Sequence, residues 1–269
     1  MSYSSKMYNN IKLIENIKWI PVFLFQILSL NSFSQGIINT ESSLREINNG
    51  FNFSSSLEGD IQTGNVDIIE FNSSIIFSYK LDKILIRLIN GYEYLEEDKL
   101  VESNDVSSHF RMNHFISNNK FNSIYFFFQI QSAKSINQKS RILRGAGYRF
   151  RLFNKSKDYF DISTGYFLEI EKYDYLNQET KVKNNRLSLN NFFFFRITNK
   201  LSIDGITYFQ LNLKNRDDFR LFFEPKLIFN IDKAISFYLR FSNKYHSSPY
   251  IDIFKRDRDL LIGLELNLN

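Results

Sequence analysis

Cysteine is absent from this chain, and tryptophan (1), proline (3) and histidine (3) are nearly so. With no thiol there is no disulfide framework, no thiol nucleophile and no cysteine-ligated zinc. With so few prolines and only 10 glycines, low-complexity and collagen-like architectures are excluded. Runs of like charge are missing as well. Lys+Arg number 34 against 29 Asp+Glu, for a net charge of +5, and the bases lie among the acids rather than in a tail. That pattern predicts no nucleic-acid partner. The motifs GxSxG, HExxH and the phosphate-binding loop do not occur.

A long apolar run is also lacking. The stretch IPVFLFQILSL, Ile20 to Leu30, has the length of a signal-peptide core and falls short of the roughly 20 residues of a helical span. Lys6, Lys12 and Lys18 precede it, and Ser32 and Ser34 stand just before Gln35. Residues 1–34 are therefore expected to be a signal peptide cleaved before Gln35, with 35–48 as a periplasmic lead-in and 49–269 as the folded domain.

What the chain has in quantity is ring-bearing side chains and alternation. Phe 29 and Tyr 15 bring the aromatic fraction to 17%, while charged residues make up 23%. From Asn49 onward the hydrophobic period is two, the period of a strand with unlike faces. In DRDLLIGLELNLN (257–269), Leu260, Ile262, Leu264, Leu266 and Leu268 share one face. Leu261, Gly263, Glu265 and Asn267 share the other. Marking each such run places strands near 51–62, 66–80, 84–95, 104–117, 121–132, 139–153, 158–172, 184–197, 201–213, 217–231, 234–245 and 257–268. These are about twelve strands, longer than the ~5–6 residues usual in soluble sheets and sufficient for the ~9–11 residues of a tilted bilayer crossing.

Short polar turns at 81–83, 118–120, 154–157, 198–200 and 232–233 alternate with connections that are mostly longer and more charged, at 96–103, 133–138, 173–183 and 246–256. Short turns at one end and longer loops at the other are the layout of an outer-membrane barrel. The segment SLNNFFFFRITNKLSIDGITYFQLNL (188–213) fits that reading. Alternation turns Phe193 and Phe195 to lipid, beside a turn where an aromatic girdle would lie, and Phe192 and Phe194 to the lumen. Closure of the sheet removes the edge that would otherwise aggregate.

The inward face carries both signs of charge. A lumen charge network is expected from Arg149, Arg151, Asp161, Arg196, Asp204, Arg220, Glu224 and Arg240, because charges in a low-dielectric surrounding must be paired or wet. Hairpin register brings Arg149 or Arg151 near Asp161, and Glu224 near Arg240. Bulky inward groups (Phe192, Phe194, Tyr208, Phe222 and Tyr238) favour a salt-bridged, constricted lumen over an open pore. Gly145, Gly147 and Gly165, also inward, are expected to relieve crowding by large arginines; the alternative is close approach of a ligand to bare backbone. Of the histidines, His109 faces inward and His114 outward. Pairing His114 with Ser123 as a surface hydrolase is disfavoured because Ser123 has inward parity.

The mature chain resembles the salt-induced outer-membrane proteins, a YdiY-like bacterial family of unknown function. The resemblance is carried by GFNFSSSLEGDIQTGNVDIIEFNSSIIFSYK (50–80), by GAGYRFRL (145–152) with DISTGYFLE (161–169), and by SSPYIDIFKRDRDLLIGLELNLN (247–269). It implies an outer-membrane location and supplies no catalytic or ligand residues. Barrels of this kind usually end in an aromatic residue read by the assembly machinery, whereas this chain ends Leu268-Asn269.

The sequence thus predicts an all-β, antiparallel up-and-down transmembrane barrel of about twelve strands in a bacterial outer membrane. Outer-membrane lipid and the assembly machinery are its expected partners, a small solute is open, and no cofactor, metal site or catalytic group is expected. The expected role is structural, or passage of small solutes through a constricted lumen. The alternatives are a lipid-modifying outer-membrane enzyme and a soluble secreted β-barrel that binds an apolar ligand.

Overall fold

The computed structural model describes residues 49–63, 67–116, 122–155, 158–176 and 178–268, with backbone alone at 60, 62, 267 and 268. The expected signal peptide and the 35–48 lead-in lie outside the described residues. Twelve strands follow one another: β1 Gly50–Gln62, β2 Ile68–Leu81, β3 Ile84–Glu97, β4 Leu100–Phe115, β5 Ser123–Ala133, β6 Gln138–Lys155, β7 Asp158–Tyr175, β8 Gln178–Arg196, β9 Leu201–Asn212, β10 Phe219–Asn230, β11 Ile235–His246 and β12 Arg256–Leu268. A short 3-10 turn, Lys134–Ile136, links β5 to β6.

Every strand pairs antiparallel with its chain neighbours, and β1 pairs with β12 to close the barrel. The closing seam runs from Phe53 opposite Leu268 to Glu58 opposite Gly263. Closure leaves no strand with an unpaired edge, as a sheet in lipid requires. Among the described residues no helix is long and apolar enough to cross a membrane; any crossing is made by strands.

The period-two pattern sorts the two walls. Along β2, Ile69, Phe71, Ile75, Phe77 and Tyr79 are exposed on the outside while Ile76 and Ser78 are buried within. Along β10, Phe223, Leu227 and Phe229 face out, and Arg220, Phe222, Glu224, Lys226 and Ile228 are buried inside. An outer wall of leucine, isoleucine and phenylalanine around a polar interior inverts a water-soluble protein.

Two expected loops are strand instead. The charged stretches 96–103 and 173–183 extend β3 and β4, and β7 and β8, into long hairpins. The first closes at Asp98-Lys99, both with positive φ (47° and 67°), as a two-residue type I′ turn demands. Their charge reflects a hairpin rising above the apolar band, not an irregular loop. With β8 reaching 19 residues, the ends differ in strand projection more than in loop length. At the other end Asp232 accepts hydrogen bonds from the backbone N–H groups of Ala234 (2.7 Å) and Ile235 (2.8 Å), which lower its pKa and fix the β10–β11 turn.

Candidate functional site

The lumen is where the fold gathers its buried polar chemistry, and alternation puts it there: each inward residue on a strand recurs two positions on. The densest assembly lies towards the end away from the chain termini. Glu169, fully buried on β7, accepts hydrogen bonds from Arg141 Nε on β6 (2.7 Å), Arg186 Nε on β8 (2.6 Å) and Arg220 Nη1 on β10 (2.8 Å). Glu171, one inward step along β7, accepts from Arg220 Nη2 (2.9 Å), Gln138 Nε2 (3.1 Å) and the Tyr173 hydroxyl (2.9 Å). A glutamine ladder extends the array along the wall from β6 through β5 to β4. Gln129 Nε2 donates to Gln131 (2.7 Å) and Gln131 Nε2 to Gln138 (3.0 Å), while His109 Nδ1 lies 3.0 Å from Gln129 Oε1.

Asp218, in the β9–β10 loop, caps this assembly. It takes hydrogen bonds from Arg186 Nη2 (2.8 Å), Asn212 Nδ2 (2.9 Å) and the Tyr250 hydroxyl (2.5 Å), and His246 Nε2 lies 2.9 Å away. Burial alone would raise its pKa. The His246 hydrogen bond, the Arg186 charge and the Tyr250 and Asn212 hydrogen bonds outweigh burial and hold the carboxyl well below the usual carboxylate range. Arg141, Arg186 and Arg220 are thus balanced by Glu169, Glu171 and Asp218, each acid satisfied by several donors. Buried charge is tolerated only in such arrangements.

Towards the termini, Asp161 meets both candidate arginines: Arg149 Nε at 2.9 Å and Arg151 Nε at 2.7 Å. The Arg149 guanidinium also lies over the Phe192 ring (4.9 Å) and that of Arg151 over Tyr159 (4.6 Å). Beside them Tyr159, Phe192, Phe194, Ile206, Tyr208 and Phe222 form a buried apolar plug. A third group joins the seam strands. Arg240 Nη1 reaches Glu224 (2.9 Å) and its Nε reaches Glu58 (2.9 Å), which also accepts from the Tyr238 hydroxyl (2.6 Å). Lys226 binds Glu265 at 2.7 Å and lies 3.9 Å from Asp204.

Seven of the eight residues expected in a lumen network are therefore inside the barrel. Arg196 is the correction. It has inward parity, but it ends β8 and is exposed at the rim, its Nε 3.4 Å from Asp158 Oδ1. The last residue of a strand has no neighbouring wall above it to bury it. The expected network did not include Arg141, Glu169, Glu171, Arg186 or Asp218. The first four share a face with residues already recognised and could have been found by extending the alternation, whereas Asp218 sits in a loop, where parity has no meaning.

The glycines also have a different cause from the one expected. A Cβ at Gly165 would lie 2.6 Å from the Tyr125 hydroxyl, and one at Gly145 would meet Phe127 and Phe167. Aromatic rings, not arginines, lie against this bare backbone. Phe193 does the same outside, its ring lying over Gly205, and it stacks on Phe195 at 5.9 Å. The four phenylalanines in a row thus serve both walls: Phe192 and Phe194 plug the lumen, and Phe193 and Phe195 line the lipid side. His114 is exposed on the outer wall, while Ser123 is buried inside against Asn113 (3.0 Å). These two cannot act as a hydrolase pair.

Space is left beside the ion pairs. A cavity of about 200 Å³ lies between the serine-rich inner wall of β1, β2 and β4 (Ser54, Ser56, Ser74, Ser107) and the Arg240–Glu58 and Lys226–Glu265 pairs, with Ile76 and Ile89 also lining it. A second space of about 60 Å³ lies beside His109, Arg111, Ser188 and Gln210. Among the described residues no group of three or more histidine or carboxylate side chains is placed to hold a metal.

A closed antiparallel barrel, apolar outside and charged inside, defines the class: this is the fold of the outer-membrane β-barrels. The chain belongs to the family DUF481, proteins of unknown function, whose model matches residues 57–267. Solved structures share the fold at low identity. One is the COG4313 outer membrane channel from Pseudomonas putida F1, with a TM-score of 0.53 and 6% identity, covering 86% of this chain and 99% of that one. Another is the NanC porin, with a TM-score of 0.50 and 10% identity, covering 81% of this chain and all of that one (100%). No curated protein sequence matches the chain.

Proposed function

We propose that this protein is an integral barrel of a bacterial outer membrane. Its lumen is held shut by ion pairs, so its role is structural or limited to small polar solutes entering the serine-lined cavity. The observation that carries this reading is the convergence of Arg141, Arg186 and Arg220, from three strands, on the buried Glu169. A wide aqueous pore needs no such knot, because water would solvate each charge separately. The apolar outer wall supports lipid as the surrounding partner. The even strand count puts both termini at one end, which is the periplasmic end if the outer-membrane assembly machinery inserts the barrel after removal of residues 1–34. A polar, ion-paired interior speaks against an apolar ligand, and the separation of His114 from Ser123 against the enzyme first considered.

Planar-bilayer recording of the refolded protein tests the reading. Sealed bilayers or brief, small openings are expected; a large, steady conductance would make the barrel an open porin and overturn it.

A further inference from the structure

The outer wall is not uniformly apolar. On β6–β8 the lower outward face carries Leu152 and Tyr148 on β6, Tyr166 and Leu168 on β7, and Leu189 and Leu187 on β8, with Leu187 opposite Tyr166; higher on the same face the character changes. Arg144, Lys172, Lys181 and Lys183 take over the same outward face on three adjacent strands. Arg144 stands opposite Leu168, Lys183 opposite Ile170, and Lys172 directly opposite Lys181. All four bases therefore crowd the upper margin of one apolar strip. Like charges directly opposite on a sheet repel, so the Lys172–Lys181 pairing is unfavourable unless an anion sits across it.

The protein itself supplies little compensation. Lys172 has Glu179 at 3.8 Å, with both side chains about half exposed, and nearby Asp174 is engaged by Lys139 at 2.9 Å. Among the described residues Arg144, Lys181 and Lys183 form no ion pair. Nor is basicity a general property of this rim. On β3 and β4 the same end carries Glu96, Glu97, Asp98 and Glu102. Bases also stand at this end in the β9–β10 loop (Lys214 and Arg216) and at the start of β12 (Arg256 and Arg258), while β6–β8 bring four to one outward face.

We propose that the outward face of β6–β8 is a binding site for a lipid carrying a phosphate headgroup. The phosphate lies among Arg144, Lys172, Lys181 and Lys183, and the acyl chains run down the strip of Tyr166, Leu168, Leu187 and Leu189. The occupant follows from the juxtaposition. A basic cluster at the top of a lipid-facing apolar strip complements an amphiphile that is anionic at one end and hydrocarbon at the other. Arg144, set lowest, can lift its guanidinium to the headgroup level along its own aliphatic stem. The site lies in the leaflet away from the chain termini. This inference rests on the membrane reading above.

The test is native mass spectrometry of the full chain, refolded and presented with equal amounts of dioleoyl phosphatidic acid and dioleoyl phosphatidylcholine. The wild type is expected to retain the phosphatidic acid about tenfold over the zwitterionic lipid. The preference should disappear in Lys172→Gln/Lys181→Gln/Lys183→Gln and persist in Lys200→Gln/Lys233→Gln, which neutralises exposed turn lysines at the opposite end. The fold is monitored by resistance to heat-induced unfolding in detergent, and all these substitutions are on solvent- or headgroup-facing side chains. An unselective wild type, or a triple variant that keeps its preference, overturns the site. Loss of the preference when millimolar inorganic phosphate is added makes it a free-anion site and overturns the lipid assignment. A dimer that vanishes in the triple variant makes the arc a contact between copies and likewise overturns it. Failure of the membrane reading shows separately, as a wild-type chain released from vesicles by carbonate washing.

Discussion

Asp161 lies between two arginines of the preceding strand, its Oδ2 2.9 Å from Arg149 Nε and its Oδ1 2.7 Å from Arg151 Nε, with the carboxylate wholly buried. One acid is thus shared by two bases that alternation sets on the same face.

Removing that acid strands both cations beside an apolar plug. Asp161→Ala is expected to lower stability by about 3–5 kcal/mol, the cost of an uncompensated buried charge. Arg149→Ala combined with Asp161→Ala should lose less than the sum of the singles. Denaturant titration of refolding into vesicles measures the cycle. Additive effects near zero would mean that water solvates this part of the lumen.

Depth on the outer wall sets the next expectation. Leu264 faces out between Leu57 and Phe237 on the strands either side. Leu264→Arg should cost about 2–4 kcal/mol in bilayer folding. Glu97→Arg, exposed at the end of β3 above the apolar band, should change stability by no more than about 0.5 kcal/mol. The reverse ranking would invert the inside and outside of the barrel.

Gly165 faces Tyr125 from across the lumen wall. Gly165→Ala puts a methyl group 2.6 Å from the Tyr125 hydroxyl and 3.0 Å from the Ala146 carbonyl oxygen, and should cost about 1–3 kcal/mol by overpacking. Tyr125→Phe removes the first clash, so the double variant is expected to recover part of that loss in the same titration.

The Asp218 clamp gives a pH dependence with a definite sign. Its carboxyl is depressed in the folded state, so the folded chain holds its proton less readily than the unfolded chain. The contribution is complete above the ordinary aspartate value of about 4 and is lost as pH falls below it towards the depressed folded value. Hydrogen-exchange protection at 213–218 and 247–255, taken relative to the intrinsic rate at each pH, should therefore fall between about pH 4 and pH 2 in the wild type. Asp218→Asn should already show low protection at neutral pH and lose little more on acidification. An acid response unaltered by the substitution would assign it to other carboxylates.

Much of this was legible in the order of residues. Alternation at period two, sustained through twelve segments, gave the strand count, both walls and the parity of each charged side chain, because successive side chains on a strand point to opposite faces whatever surrounds them. Hairpin neighbours followed from the same rule, which is why Arg149, Arg151 and Asp161, or Glu224 and Arg240, could be paired from spacing alone.

Closure decided the rest. Arg220 reaches Glu169 and Glu171 across 51 and 49 residues, and Arg240 reaches Glu58 across 182. Such partners depend on the stagger of the closed sheet and on the reach of a long side chain across the lumen, quantities that no local pattern contains. The same holds for Asp218, which has no face until loops β9–β10 and β11–β12 meet over the barrel. It holds for Arg196, whose inward parity is undone by its place at the end of a strand. The sequence by itself determined which way each strand residue points; only the curvature of the closed wall decided what it meets there.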